Sequence, residues 1–401
     1  MGGNVFDEQP TNRIFQNVDA LDPDRTPSKD EFVERDDEMQ QIVSILRFIE
    51  MGGASNFLVT GPSGVGKTMA VKIILRDLEN YLDGNVQSVY LTDLENELQT
   101  LRTLTSQLSL NYRGTDLNEY YDRLAAKLIR EDLKLVLVLD ELEKLFLAQG
   151  GKSHGNSFLK KLLEARKRVV NADADGTLLV IGISNNARLG EYMNTKVKSR
   201  FGHETVHFSK YNALELRKIL EQRSEKAFRP GALDDGVLAK IAAVVAQNGG
   251  DAREAIQVLR KAGELALDDG AATVTNGTHV DRARQLIEAD KIVDTVRSLS
   301  MHSHVVVYAV LSLLEEGKTP VTTGDVYSEY RDVHAQMSVE GKDPISQRRV
   351  RDLIAELDML GVIQATVLSN GKYGRTRRIK VNLEESTIEE LQTFVEEEYG
   401  I

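Results

Sequence analysis

A glycine-rich segment near residue 60 contains the residue types and spacing with the clearest chemical potential. It reads Gly61-Pro62-Ser63-Gly64-Val65-Gly66-Lys67-Thr68 and fits the pattern G-x-x-x-x-G-K-[ST]. In such a phosphate-binding loop the backbone N–H groups converge on phosphate oxygens, the lysine reaches the β- and γ-phosphates, and the hydroxyl binds Mg²⁺. The segment therefore predicts a binding site for a nucleoside triphosphate.

The residues on either side of this loop supply the elements that must position it. Phe57-Leu58-Val59 before the loop is typical of a buried strand, and apolar residues recur with helical spacing from Ala70 to Leu78 after it. A helix that begins at the loop also directs the positive end of its dipole at the anion. The alternative is a glycine-rich surface turn, and this strand–loop–helix context argues against it.

Two acidic residues follow a continuously apolar run of the chain. The run Leu135-Val136-Leu137-Val138-Leu139 is typical of a strand buried on both faces, and Asp140 and Glu141 end it. A carboxylate at that edge can hold Mg²⁺ through water, so we predict Thr68 and Asp140 as the metal-binding residues. Glu141 is placed to polarise the attacking water, which predicts a hydrolase. The alternative is an acidic helix start that the helix dipole favours.

Three more polar residues are candidates for the same site. Asn185 follows the next apolar run and can hydrogen-bond the water or the γ-phosphate; a turn asparagine is the alternative. Arg200 precedes the fifth apolar run and has the permanently charged fork that suits a transferring phosphoryl group, although a surface arginine is an equal alternative. Arg253 begins a later helical pattern and can report ATP or ADP by moving one domain against another.

Strands and helices alternate through the first half of the chain. This alternation predicts an α/β fold with a mostly parallel, five-stranded sheet that is covered by helices on both faces. We place a polar N-terminal arm at 1–28, the nucleotide-binding domain at 29–210 and a small helical domain at 211–290. Three helical patterns followed by a hairpin predict a winged-helix domain at 298–401.

Basic residues are concentrated in this last domain. Residues 342–380 hold nine basic and four acidic side chains, whereas residues 381–401 hold seven acidic and no basic ones. The pattern predicts a recognition helix from Ser346 and a basic wing, which together indicate contact with nucleic-acid phosphates. The alternative is a winged helix with a solvated charged hairpin that contacts protein. The residues predicted to bind DNA are Arg348, Arg349, Arg351, Lys372, Arg375, Arg377 and Arg378.

Composition limits the remaining possibilities. The chain has 401 residues, of which 41% are hydrophobic and 28% charged, it contains no cysteine, and its net charge is −12. These values predict two or three folded domains without disulfides or thiolate metal sites, and they argue against a protein that coats nucleic acid with its whole surface. The N-terminus lacks a signal-peptide pattern, and no stretch has the length of a membrane span. We therefore expect a cytoplasmic protein without a membrane partner.

In order along the chain, these motifs resemble those of the AAA+ ATPases. Gly61–Thr68 is similar to Walker A, Asp140-Glu141 to Walker B, Ser184-Asn185 to sensor 1, Ser199-Arg200-Phe201-Gly202 to box VII, and Gly250-Asp251-Ala252-Arg253 to sensor 2. The resemblance implies an AAA+ P-loop ATPase domain with a helical lid domain after it.

Other features resemble the archaeal origin-recognition and helicase-loader initiators, which are relatives of the eukaryotic origin recognition complex. These features are Asn12-Arg13-Ile14-Phe15, Glu34-Arg35-Asp36 before the first helix, the Gly-Asp-Ala-Arg motif and the C-terminal winged helix. The resemblance implies an ATP-dependent replication initiator that hydrolyses ATP slowly, as a switch. It also implies a DNA-contacting insertion within about residues 93–113, with Arg102 and Arg113.

The resemblance further implies the site residues, cofactors and partners. ATP or ADP with Mg²⁺ would be the cofactors. The catalytic residues would be Glu141, Asn185 and Arg200. The residues expected to contact ATP are Gly61, Pro62, Ser63, Gly64, Val65, Gly66, Lys67, Thr68, Met69, Asp140, Tyr211, Arg223 and Arg253. Expected partners are duplex origin DNA, the replicative minichromosome-maintenance-type helicase, and paralogous initiators or further copies on DNA, which implies association with the chromosome.

Two other functions remain open from the sequence. One is a signalling or regulatory ATPase whose winged helix binds protein, although such proteins usually lack the Gly-Asp-Ala-Arg arginine and a basic wing. The other is a transcriptional regulator that does not load a helicase.

Overall fold

The computed structural model describes residues 13–51, 53, 55–94, 96–147, 151–172, 174–201, 204–337, 343–369 and 375–401. The chain forms two compact units, residues 1–280 and residues 281–401. None of the helices in these described ranges combines the length and apolarity that crossing a membrane requires. The predicted domain boundaries inside the first unit stay predictions.

A five-stranded sheet forms the centre of the first unit. Its strands are β1 (Phe57–Thr60), β2 (Val86–Leu91), β3 (Lys134–Leu139), β4 (Thr177–Ser184) and β5 (Thr205–His207). They are hydrogen-bonded in the order β2-β3-β4-β1-β5, and every pair is parallel. The parallel five-stranded sheet is therefore confirmed. Because the carboxyl ends of parallel strands share one edge, the loops after β1, β3 and β4 meet there.

Seven helices surround this sheet in the described part of the unit. They are α1 (Asp36–Leu46), α2 (Lys67–Tyr81), α3 (Glu97–Gln107), α4 (Leu117–Arg130), α5 (Lys144–Leu147), α6 (Gly151–Val170) and α7 (Thr195–Phe201). Ser28 and Glu31 form a capping box around a single short turn, and α1 begins only at Asp36.

Three helices, α8 (Ala213–Ala227), α9 (Val237–Asn248) and α10 (Ala252–Asp268), follow the sheet. Asn212 and Asp251 cap α8 and α10 by accepting hydrogen bonds from backbone N–H groups in the first turn. From residue 14 onward the N-terminal arm packs against these helices. The ring of Phe15 lies 4.9 Å from that of Phe228, and Ile14 and Phe15 are buried. The arm therefore belongs to the helical domain's core at this point.

The second unit has a winged-helix arrangement. It contains α11 (Asp281–Arg297), α12 (Met301–Glu315), β6 (Val321–Thr322), α13 (Thr323–Gln336), α14 (Gln347–Met359), β7 (Gln364–Ser369), β8 (Arg375–Lys380) and α15 (Glu385–Tyr399). The strands pair antiparallel in the order β6-β8-β7. The sequence did not predict α15, whose Leu391 and Val395 are buried although most of its residues are acidic or polar.

Candidate active site

The glycine-rich loop joins β1 to α2 and makes very close approaches to its surroundings. Gly61 and Gly64 have φ angles of 151° and 68°, which other residues rarely adopt. A Cβ on Gly61 would lie 2.2 Å from the carbonyl oxygen of Phe208, and one on Gly64 would lie 1.7 Å from Asp251. The backbone oxygen of Gly64 also accepts a hydrogen bond from the N–H of Ala252. Glycine is thus required because the loop touches both the sheet and the start of α10.

Lys67, the first residue of α2, is held over this loop. Its ammonium donates to the carbonyl oxygens of Gly61 (2.8 Å) and Pro62 (2.5 Å) and to the side-chain oxygen of Asn185 (2.9 Å). Burial lowers the pKa of Lys67 to about 8, because a desolvated ammonium is less stable than a hydrated one. A cation that has already lost much of its water is well suited to bind a phosphate.

Thr68 and Asp140 are brought together although 72 positions separate them. The hydroxyl of Thr68 donates to a carboxylate oxygen of Asp140 at 2.7 Å. A hydroxyl and a carboxylate side by side are the hard oxygen ligands that Mg²⁺ prefers, so these two residues fit that ion.

Glu141 has an unusual backbone conformation. Its φ angle is 52°, and its N–H donates to the other carboxylate oxygen of Asp140 at 2.9 Å. Non-glycine residues in this region carry strain and cluster at functional sites. Its half-exposed carboxylate lies 2.6 Å from the ammonium of Lys144. A carboxylate oxygen of Glu143 accepts from the N–H of Asn185 at 3.2 Å and so fixes the loop after β4.

Sequence reasoning did not assign a role to Arg35, which the structure ties to the loop. Arg35 is only 3% exposed, and its guanidinium donates to the carbonyl oxygens of Val65 (3.0 Å) and Ser209 (2.7 Å) and pairs with Glu38. It also lies 3.7 Å from the ring centroid of Tyr211. Arg35 therefore links the phosphate-binding loop to the segment after β5. The only signal for it was its place in the Glu-Arg-Asp segment.

A cavity at this edge of the sheet joins the loop, the helical domain and the arm. The predicted site residues that line it are Ser63, Gly64, Gly66, Lys67, Thr68, Met69, Asp140, Glu141, Asn185, Tyr211, Arg223 and Arg253. Gly61, Pro62 and Val65 belong to the same loop but are not among the residues that line the cavity. Burial raises the pKa of Tyr211 to about 12, so this phenol stays protonated at neutral pH.

The arm contributes to this cavity in a way that the sequence did not predict. Pro23, Arg25 and Pro27 of the arm line it beside the loop, as does Phe32 shortly after the arm. Arg223 lines it too, while its guanidinium donates to the carbonyl oxygen of Ala20 at 3.0 Å. The arm thus holds one of the cavity's arginines in place.

Arg200 does not line this cavity. It is exposed on α7, and its carbonyl oxygen accepts a hydrogen bond from Asn56 at 3.1 Å. The structure therefore does not bring Arg200 together with the other predicted residues of this cavity.

In the second unit, α14 presents Arg348, Arg349 and Arg351 to solvent. Its other face is buried through Val350, Leu353, Ile354 and Leu357. An exposed basic side near the N-terminal end of the helix is the arrangement of a recognition helix. Arg349 pairs with Glu356 at 3.2 Å and Arg351 lies 3.8 Å from Asp352, both at exposed positions where such pairs are weak.

Two of the predicted wing residues, Arg377 and Arg378, lie on opposite faces of β8. Because side chains alternate along a strand, Arg377 lies on the face of buried Ile379 and Arg378 on the opposite face. One terminal nitrogen of Arg377 is buried. Lys372 lies outside the described residues, and only the backbone of Arg375 is described, as the first residue of β8.

Comparison with known proteins agrees with this geometry. Family models match three segments: "AAA domain" at residues 50–188, "Cdc6 AAA+ ATPase-type lid domain" at 217–285 and "CDC6, C terminal winged helix domain" at 294–391. The ORC1-type DNA replication protein of Pyrococcus horikoshii is 36% identical over 384 residues, which cover 92% of this chain and 88% of that relative. This chain belongs to the ORC1-type family of DNA replication proteins.

Other members of the ORC1-type family support the assignment. ORC1-type DNA replication protein 1 of Archaeoglobus fulgidus is 33% identical over 407 residues, covering 99% of this chain and 95% of that protein. The Aeropyrum pernix ORC1 protein, solved in complex with DNA, is 30% identical, has a TM-score of 0.77, and is matched over 96% of this chain and 98% of that one. The AAA+ class, the helical lid and the C-terminal winged helix of this family member are therefore confirmed.

Proposed function

We propose that this protein is an ATP-controlled initiator of DNA replication that binds duplex origin DNA and helps to recruit or load the replicative helicase. The observation that carries the proposal is the cavity in which the phosphate-binding loop, the Asp140 carboxylate and the lid's Arg253 meet. The same chain has a basic recognition helix, and its relatives are replication proteins. We assign residues 29–210 and 211–290 to nucleotide binding and hydrolysis, and residues 298–401 to DNA.

In the proposed mechanism, this chain's residues bind and orient the nucleotide. Loop N–H groups and Lys67 would bind the phosphates, and Arg253 would contact them from the lid. Thr68 and Asp140 would hold Mg²⁺, which neutralises phosphate charge when bound. Glu141 would accept a proton from the attacking water and Asn185 would position that water. Arg200 would act in the site of a neighbouring copy or paralogue, so hydrolysis stays slow until the two assemble.

Nucleotide binding should depend on pH through Lys67. Its pKa in the free protein is about 8, so above this pH the ammonium is lost unless phosphate binding restores it. We expect ATP affinity, measured by calorimetry, to fall roughly tenfold between about pH 7 and pH 9.5. Lys67→Arg should bind more weakly but with little pH dependence, because arginine keeps its charge. An equal decline in both proteins would contradict this assignment.

The same pKa has an opposite consequence for the stability of the nucleotide-free protein. In the unfolded chain the lysine pKa is near its ordinary 10.5, so from about pH 8 to pH 10.5 the unfolded state binds more protons. The contribution of Lys67 to the free energy of unfolding therefore increases with pH across that range, so the folded state becomes more stable. Affinity and stability should consequently move in opposite directions with pH.

The two wing arginines should respond differently to substitution. Arg378→Gln should weaken duplex binding for every sequence and reduce the log–log salt slope by about 0.9, because one phosphate contact is lost. Arg377→Gln should instead leave the salt slope unchanged and lower the melting temperature, because its side chain shares a face with buried Ile379 and the shorter glutamine would lose part of that packing. Fluorescence anisotropy over a salt series and thermal melting measure both effects. A normal salt slope in Arg378→Gln would remove that residue from the DNA contact.

Chromosome mapping tests the initiator role as a whole. An initiator should occupy one or a few chromosomal sites and bring the replicative helicase to them in the presence of ATP. Occupancy of many promoters without helicase would instead indicate a transcriptional regulator.

A further inference from the structure

A second basic surface lies on the first unit, outside the nucleotide cavity. Residues 151–170, which form α6, contain six basic residues and one acidic residue, and residues 188–200, which include most of α7, contain four basic residues and one acidic residue. The chain as a whole has a net charge of −12, so these segments, like residues 342–380, are far more basic than the chain average. The recognition helix and wing do not include these residues.

The basic residues of α6 divide between two sides of the helix. On one side, Lys161 pairs with Glu97 at 3.0 Å and Arg168 pairs with Asp122, so those charges are neutralised. The other side faces the start of α7 across a shallow groove. This α6–α7 groove is lined by Lys152, Ser153, Asn156, Ser157, Lys160 and Asn194.

The floor of the α6–α7 groove is fixed by hydrogen bonds. The buried amide of Asn156 donates to the carbonyl oxygens of Lys152 (2.6 Å) and Tyr192 (3.0 Å) and accepts from the N–H of Asn194 (2.7 Å). The ammonium of Lys152 lies 4.6 Å from the ring centroid of Tyr192. The groove is therefore preorganised, which lowers the entropy cost of binding a partner.

Several cations of this surface lack an acidic partner. In the described ranges, no carboxylate lies within ion-pair distance of Lys152, Lys196 or Lys198, and Lys160 has only a 3.7 Å contact with Glu164. Lys196 and Lys198 are exposed on α7 and extend the basic surface beyond the groove. Unpaired cations concentrated on one face attract an anionic partner.

The side chains of the groove indicate what that partner is. Lysine, serine and asparagine are residues with which proteins contact DNA phosphates. The lining has no aromatic side chain on which an unpaired base could stack, and no apolar anchor of the kind that dominates protein interfaces. We propose that the α6–α7 groove binds the sugar–phosphate backbone of duplex DNA without reading its sequence. This inference rests on the proposed function, because it adds a second contact to the same DNA-binding activity.

The test is a salt titration of the full-length protein with a short fluorescent duplex of arbitrary sequence. The double variant Lys152→Gln/Lys160→Gln should reduce the magnitude of the log–log salt slope by about 1.8, since each lost phosphate contact removes about 0.9. Its affinity should fall roughly tenfold at low salt for all sequences. ATP binding should be unchanged, because neither lysine lines the nucleotide cavity.

The matched control is Arg123→Gln/Arg168→Gln, which removes two exposed, ion-paired charges outside the groove: Arg123 on α4 and Arg168 on the side of α6 that faces α4. It should leave the slope and affinity unchanged. Equal effects of both double variants, or no effect of Lys152→Gln/Lys160→Gln, would overturn the inference. So would a loss of self-association with normal DNA binding, which would assign the groove to another copy. If the wild-type chain itself did not bind duplex, the proposed function would fail instead.

Discussion

Glu141→Gln is expected to bind ATP as tightly as the wild-type chain and to lose between about a hundredfold and ten-thousandfold of its hydrolysis rate. The glutamine keeps the size of the side chain and can still hydrogen-bond a water, but it cannot accept the proton. Glu141 is half-exposed and its side chain contacts Lys144, so the change should leave the melting temperature nearly unchanged. Single-turnover hydrolysis and equilibrium binding of ATP measure the two effects separately.

Lys144→Gln is the matched control for this experiment. It breaks the same 2.6 Å ion pair from the other side while leaving the carboxylate of Glu141 intact. Turnover should therefore be retained or raised, because the carboxylate is then free to approach a water. If Glu141→Gln hydrolysed ATP at the wild-type rate, Glu141 would not be the base. If Lys144→Gln lost as much activity as Glu141→Gln, the ion pair rather than the base would explain the loss.

Arg35→Met should produce the largest loss of stability among these variants. The substitution removes the donors that satisfy the carbonyl oxygens of Val65 and Ser209, and it leaves Glu38 without its partner. Breaking such a buried network costs about 3–5 kcal/mol. For a unit of this size that corresponds to a fall in melting temperature of at least about 5 °C. ATP affinity should fall as well, because Val65 belongs to the phosphate-binding loop.

Two further variants make the Arg35 experiment specific. Arg47→Met removes an exposed arginine that lies over the ring of Phe48, and it should change the melting temperature by less than about 2 °C. Arg35→Lys keeps the charge but cannot reach both carbonyl oxygens with a planar fork, so it should have an intermediate effect. If Arg35→Met melted at the same temperature as the wild-type chain, the phosphate-binding loop would not depend on the contacts of Arg35.

The sequence by itself determined the features that depend on neighbours along the chain. The order of glycines and Lys67 between an apolar run and an amphipathic run specifies a strand, a loop and a helix. The continuous apolar run before Asp140 specifies a strand buried on both faces. The helical spacing of Val350, Leu353, Ile354 and Leu357 specifies the buried side of α14 and hence its exposed arginines. Such periodicities are local, so one sequence suffices to recognise them.

Only the tertiary structure decided which distant residues meet. Arg35 binds Val65 and Ser209, which are 30 and 174 positions away, and no periodicity records such a contact. The order of the strands, the arm beside the nucleotide cavity and the acidic helix α15 are likewise set by packing between separated segments. The two sides of α6 have similar basic residues in the sequence. They differ because Glu97 and Asp122 come to lie against one side and not the other.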